Sequence, residues 1–262
     1  MLLFIMAFTL SFAAHNMPVA VVVHGLNNKP SSMKPFAQTL KDAGIKPYIV
    51  TLTGHSDMTN QEKKKMIYVK AQNWLDDVSK VYNQAKSENP DSPIYLLAHS
   101  IGGLIGTVLQ NESKVAFEKM ILVAPALKLK WGSRFLLSIP LDPLNYIPSF
   151  TPDDYAANSS LVVGVYNQLS ILLKRFNHNI QTQNLHVPTL VLIDKKDELV
   201  SGPGLKKLIE DEGLETWKYI EITKSKDAAI QYRHLVHDEK AMGKKGWKSI
   251  QKKVKAFLTT VE

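Results

Sequence analysis

Two hydrophobic patterns take turns along this chain. Short apolar runs occur at 18–23, 48–50, 94–97, 120–123 and 188–193, the last with Thr189 as its one polar residue, and a further strand is read over 217–222, where Lys218 and Glu221 interrupt the apolar positions. A run without polar alternation is a strand covered on both faces, as in a parallel sheet with helices on either side. Between the runs, apolar positions return every three or four residues, the signature of amphipathic helices. The spacing predicts a helix over 31–42, capped by Ser31 or Ser32, with Pro35 in its first turn and Gly44 as its stop. It predicts a long helix over 61–86, with Met66, Val69, Trp74, Leu75, Val78, Val81, Tyr82 and Ala85 as its buried stripe. Further helices are predicted over 104–110, 166–176 and 205–212. Strand and helix in alternation imply a parallel α/β sheet with right-handed crossovers.

The alternation stops between 127 and 185. Prolines at 140, 143, 148 and 152 break this stretch, and Trp131, Phe135, Leu136, Leu137, Tyr146 and Phe150 sit among them. We read it as a helical cap inserted over the carboxyl edge of a sheet built from 15–126 and 186–262. Residues 1–14 are apolar apart from Thr9 and Ser11. They are too few for a spanning helix, which needs about 20 residues. With Ser11-Phe12-Ala13 as a small-x-small cleavage site, they are expected to be a secretory signal. That expectation places the protein outside the cell or in a periplasm; a buried first strand and a cytoplasmic protein are the alternative.

Composition narrows the classes. The chain has 262 residues, 45% of them apolar, enough for a substantial core. It has no cysteine, so disulfides, iron–sulfur clusters, thiolate zinc sites and a lipoprotein anchor are excluded. The net charge of +8 owes much to Lys244, Lys245, Lys248, Lys252, Lys253 and Lys255. Trp247, Ile250, Val254, Phe257 and Leu258 fall among them at helical spacing, which reads as a terminal helix with solvated lysines. A patch for anionic lipid is the alternative, and no nucleic-acid motif accompanies the lysines.

The candidate chemistry centres on Ala98-His99-Ser100-Ile101-Gly102-Gly103, which follows one strand and opens a helix. A serine flanked at two residues on each side by small residues in a strand–turn–helix is a nucleophile elbow. The turn strains the serine backbone, exposes its hydroxyl, and lets the N–H of Ile101 face a developing oxyanion. A serine nucleophile needs a base, and the base an orienting carboxylate. Both must come from carboxyl ends of strands, where reacting groups gather in open α/β sheets. Asp197 lies just past the run ending at Ile193, with Asp194 nearer and Glu198 adjacent. His234 lies past the run ending at Ile222, with His237 three residues on. His234 and His237 also make an H-x-x-H pair, but no third metal ligand stands at a supporting spacing. His24 is expected to shape the oxyanion loop and His55 an adjacent loop, and His99, which precedes the nucleophile, to pack beneath it.

With the His24-Gly25-Leu26 turn, Gly54-His55-Ser56, the elbow, Asp197-x-Leu199-Val200 and Arg233-His234-Leu235, the chain resembles the α/β-hydrolase superfamily. Within it, the resemblance is to monoacylglycerol lipase-like and serine aminopeptidase-like serine hydrolases. It implies an α/β-hydrolase fold with a mostly parallel sheet. The strand ending in His24-Gly25 is usually the third of that fold, so the usual first strands are missing here. It implies Ser100 as nucleophile, His234 as general base and acid, Asp197 as orienting carboxylate, and the N–H groups of Leu26 and Ile101 as the oxyanion hole. It implies no cofactor and no metal. The expected activity is cleavage of a small-molecule carboxylic ester of monoacylglycerol or lysophospholipid type, at a lipid surface. An aminopeptidase or amidase, with Asp142, Asp153 or Asp154 holding an amine, and a non-catalytic binding protein are the alternatives. The chain departs from the pattern at Ala98, where glycine is commoner, and at Ile193-Asp194, where many relatives have His-Gly.

Overall fold

The computed structural model describes residues 17–132 and 142–260. The expected secretory signal and Phe135, Leu136, Leu137 and Pro140 lie outside the described residues. Six strands form one sheet: β1 (Val19–Val23), β2 (Lys46–Ile49), β3 (Ile94–His99), β4 (Lys119–Val123), β7 (Thr189–Asp194) and β8 (Trp217–Ile222). Their order is β2-β1-β3-β4-β7-β8, and every neighbouring pair is parallel. The unbroken apolar runs have the reason expected: every residue of β1, β3 and β7 is buried.

Side chains of a strand point alternately to opposite faces, so one run feeds two cores. Val19, Val21 and Val23 join Leu96, Ala98 and Leu104 on one face. Ala20 and Val22 join Leu97, Phe36 and Leu40 on the other. The first face carries α3 (Ala71–Glu88) and α4 (Ile101–Asn111), the second α1 (Lys34–Lys41) and the terminal helix α9 (Lys244–Thr259). Phe36 and Trp247 meet edge to face, ring centroids 5.1 Å apart, while Lys244, Lys245, Lys248 and Lys252 are exposed. The basic run is therefore the solvated side of a packed helix. Among the described residues no helix is long and apolar enough to cross a membrane.

Three elements differ from the sequence reading. The first helix begins later: Pro30–Met33 is a 3-10 turn, and neither serine caps α1. The N–H of Ser31 instead donates to Asp57 Oδ1 at 2.7 Å. The stripe over 61–86 belongs to two helices, α2 (Lys63–Met66) and α3. The N–H of Lys70 donates to Asn73 Oδ1 and that of Ala71 to Gln168 Oε1, each at 2.9 Å, so a fresh helix start is satisfied there. Between β4 and β7, α5 (Val163–His178) and α6 (Thr182–Leu185) follow a short antiparallel pair, β5 (Tyr146–Pro148) and β6 (Ser160–Val162). Three-residue strands with a proline in one of them leave no periodic signal. The remaining helices are α7 (Gly202–Asp211) and α8 (Glu239–Met242).

Candidate active site

Ser100 sits between β3 and α4 with φ 53° and ψ −118°, a conformation that costs a non-glycine residue about 1–3 kcal/mol. The neighbouring strand end holds it there. Its N–H donates to Val123 O at 3.0 Å, and its carbonyl accepts from Ala126 N–H at 3.0 Å. Small residues are required for the reason the sterics suggest. A Cβ at Gly102 would come within 2.7 Å of His24 O, and one at Gly103 within 2.9 Å of Pro125 Cβ.

The structure brings Ser100, His234 and Asp197 together. Ser100 Oγ lies 2.8 Å from His234 Nε2, and His234 Nδ1 lies 2.8 Å from Asp197 Oδ2. The second carboxylate oxygen of Asp197 accepts the N–H groups of Leu199 and Val200, both at 2.8 Å. All three side chains are buried. Burial pushes the Asp197 carboxyl up, but the His234 imidazole and the two N–H groups outweigh it and hold the group below its usual range. A hydroxyl, an imidazole with one fixed tautomer and an ionised carboxylate, joined in line, can move the serine proton to His234 as the oxygen attacks.

The rival residues lie elsewhere. Asp194 is buried at the end of β7, where it accepts the Lys196 N–H at 2.8 Å and pairs with the Arg233 guanidinium at 3.4 Å. Glu198 accepts the backbone N–H groups of Arg233 and His234 and not the His234 ring, whose Nδ1 goes to Asp197. His237 is buried with neither ring nitrogen hydrogen-bonded, its ring edge-on to His99 at a centroid distance of 4.2 Å.

Leu26 and Ile101 flank the serine along the wall of one cavity, and among the described residues their N–H groups have no protein acceptor. The loop carrying Leu26 is tied down on both sides. Asn27, at φ 58°, donates its N–H to His55 Nε2 at 2.9 Å. Its side chain pairs with the peptide of Asn158, accepting from N–H at 2.9 Å and donating to the carbonyl at 2.8 Å. His24 Nε2 accepts the Leu52 N–H at 3.2 Å. Burial lowers His24 to about 4 and His55 to about 3, so both rings are neutral and act as acceptors. His24 and His55 thus shape the loop as expected, and the Asn27–Asn158 pair is an addition that residues 131 apart in sequence did not announce.

The cavity holds about 170 Å³. Leu161, Val163 and Leu169, from the segment between β4 and β7, line it together with Leu199 and Val200. No Asp or Glu among the described residues lines it. Asp142 and Asp153 are exposed, and Asp154 pairs with Lys240 at the surface.

The family described as serine aminopeptidase, S33, matches residues 14–145, half of the chain. The chain belongs to that family. Curated relatives of this S33 member include the monoglyceride lipases of Rattus norvegicus and Mus musculus, each 28% identical over 104 residues. The match covers 40% of the chain and about a third of each relative (33%). Solved structures similar to the S33 chain include the monoglyceride lipase of Saccharomyces cerevisiae in complex with a substrate analog, at 14% identity and TM-score 0.71. That alignment covers 94% of this chain and 88% of the other. A structure from the metagenome-derived lipolytic enzymes LipS and LipT aligns over 93% of this chain and 94% of its own, at 18% identity and TM-score 0.70. At these identities the likeness is one of fold, and the fold is that of the α/β-hydrolases, with a mostly parallel central sheet.

Proposed function

We propose that the protein hydrolyses carboxylic esters through an acyl-enzyme on Ser100, with monoacylglycerol- or lysophospholipid-type esters as substrates. The observation that carries this reading is the Ser100–His234–Asp197 chain opening on a mostly apolar cavity that no acidic side chain among the described residues lines. Ser100 Oγ attacks the acyl carbonyl while His234 Nε2 takes its proton. The N–H groups of Leu26 and Ile101 receive the oxyanion; loss of one such donor typically costs about 10²–10³ in turnover. His234 then protonates the leaving alcohol, and a water that it deprotonates releases the acid. Asp197 keeps Nδ1 protonated and compensates the imidazolium. The segment 127–185 serves as a cap whose Leu161, Val163 and Leu169 hold the acyl chain. The curated monoglyceride lipase relatives support the monoacylglycerol type among these substrates.

Aminopeptidase activity would need a carboxylate for the substrate amine, and Asp142, Asp153 and Asp154 all lie away from the cavity. The test is a set of nitrophenyl esters of increasing chain length beside aminoacyl nitroanilides. Turnover of medium-chain esters with negligible amide cleavage is expected. Preference for the aminoacyl amides would overturn the ester reading, and inertness toward both would indicate a binding protein.

A further inference from the structure

The peptide of His234 is held as firmly as its ring, and by residues that the triad itself does not use. His234 lies in the irregular chain between β8 and α8, where no strand ladder fixes the backbone. Its N–H donates to Glu198 Oε2 at 3.0 Å. The preceding N–H, of Arg233, donates to both Glu198 oxygens at 3.0 and 2.9 Å. On the other side, its carbonyl oxygen lies 3.0 Å from His99 Nε2. Burial lowers His99 to about 3, so the ring is neutral, and a bond to a carbonyl requires its one proton to be on Nε2. The four polar positions of His234 are thus met by two dipeptides. His99-Ser100 takes the carbonyl and Nε2; Asp197-Glu198 takes the N–H and Nδ1.

We propose that Glu198 and His99 are positioning residues that clamp the His234 peptide, so that the base is located by the chain neighbours of the nucleophile and of the carboxylate. The inference rests on the triad assignment. A single Nδ1···carboxylate bond leaves the imidazole free to pivot about that contact. Fixing the peptide at both N–H and C=O removes the pivot and keeps Nε2 at hydrogen-bond distance from Ser100. The ion pair between Arg233 and Asp194, and Lys224 Nζ donating to the carbonyls of Ile230, Leu235 and Ala241, hold the rest of the same loop. Misplacing a reacting group by about 1 Å can cost about 10² in rate, which sets the scale of the clamp.

The test compares purified full-length E198A, E198Q, H99A and H99Q with the wild type and S100A. Readouts are kcat and KM on a soluble nitrophenyl ester, the rate of fluorophosphonate labelling, and the low-field NMR proton of the His234–Asp197 bond. E198A and H99A should lose about tenfold to a hundredfold in kcat with KM within about twofold of wild type. Labelling should slow by the same factor, and the low-field proton should broaden or move. H99Q places an amide nitrogen near the site of His99 Nε2 and should recover most of what H99A loses. E198Q keeps one acceptor oxygen and should fall between wild type and E198A. Where an alanine variant does not fold, its glutamine counterpart carries the comparison. Wild-type kcat and an unmoved proton in these variants, with S100A inactive, would overturn the clamp alone. Activity in S100A would instead overturn the triad assignment beneath it.

Discussion

Lowering the pH from 7 to 5 should strongly destabilise this protein, and the amount follows from four side chains. His24, His55, His99 and His237 are buried. Burial lowers their pKa values, to about 4, about 3 and about 3 for the first three, and well below the usual histidine value for His237. Each ring is therefore neutral when folded and takes up a proton on unfolding below pH 6.5, the ordinary value. A group whose folded pKa is depressed contributes stability that is whole above its unfolded pKa. That stability is lost as pH falls from about 6.5 toward the folded value of about 3 to 4. Between pH 7 and 5 each imidazole forfeits about 2 kcal/mol, and the four together about 8 kcal/mol. A domain's whole stability is about 5–15 kcal/mol, so the loss leaves the fold near or past its midpoint at pH 5. Urea melts at half-unit steps should show a slope of about 5 kcal/mol per pH unit between pH 6 and 5, equivalent to about 3.5 protons. A slope of one proton or less would refute the reasoning, because the rings would then have to be charged or hydrated in the native state.

Three variants of the site have expected outcomes. In Asp197→Asn, the N–H groups of Leu199 and Val200 keep the remaining oxygen, so the amide NH₂ faces His234 and forces the proton onto Nε2; kcat should fall by about 10⁴. Asp194→Asn should keep most of its activity, and the reverse ranking in steady-state kinetics would exchange the two aspartates. Val163→Phe, which narrows the cavity, should lower kcat/KM for octanoyl relative to acetyl esters by about tenfold or more. An unchanged ratio would place the acyl chain elsewhere.

The serine was legible in sequence because its demands are local. A strained turn with small neighbours writes a pattern within six residues, and the buried strands on either side write unbroken apolar runs. Choosing among Asp194, Asp197 and Glu198 was a different problem. All three lie within a five-residue stretch at the end of the same strand or just past it. What separates them is the direction each side chain takes: to Arg233, to the His234 ring, or to the His234 peptide. Composition and spacing carry no such direction, and only the resemblance to a family favoured Asp197. The Asn27–Asn158 pair was hidden for the same reason, since neither residue has a partner near it in sequence. The break between α2 and α3 was hidden because the apolar stripe runs on through it. One of the caps at the start of α3 comes from Gln168, about a hundred residues away.

The central claim is that Ser100 is an activated nucleophile. The direct measurement is incubation of the folded protein with a fluorophosphonate, followed by peptide mass mapping. One equivalent of label is expected on the peptide containing Ser100, with loss of ester turnover in step with labelling and no label on Ser100→Ala. Label retained by Ser100→Ala, or full turnover after Ser100 is stoichiometrically modified, would contradict it.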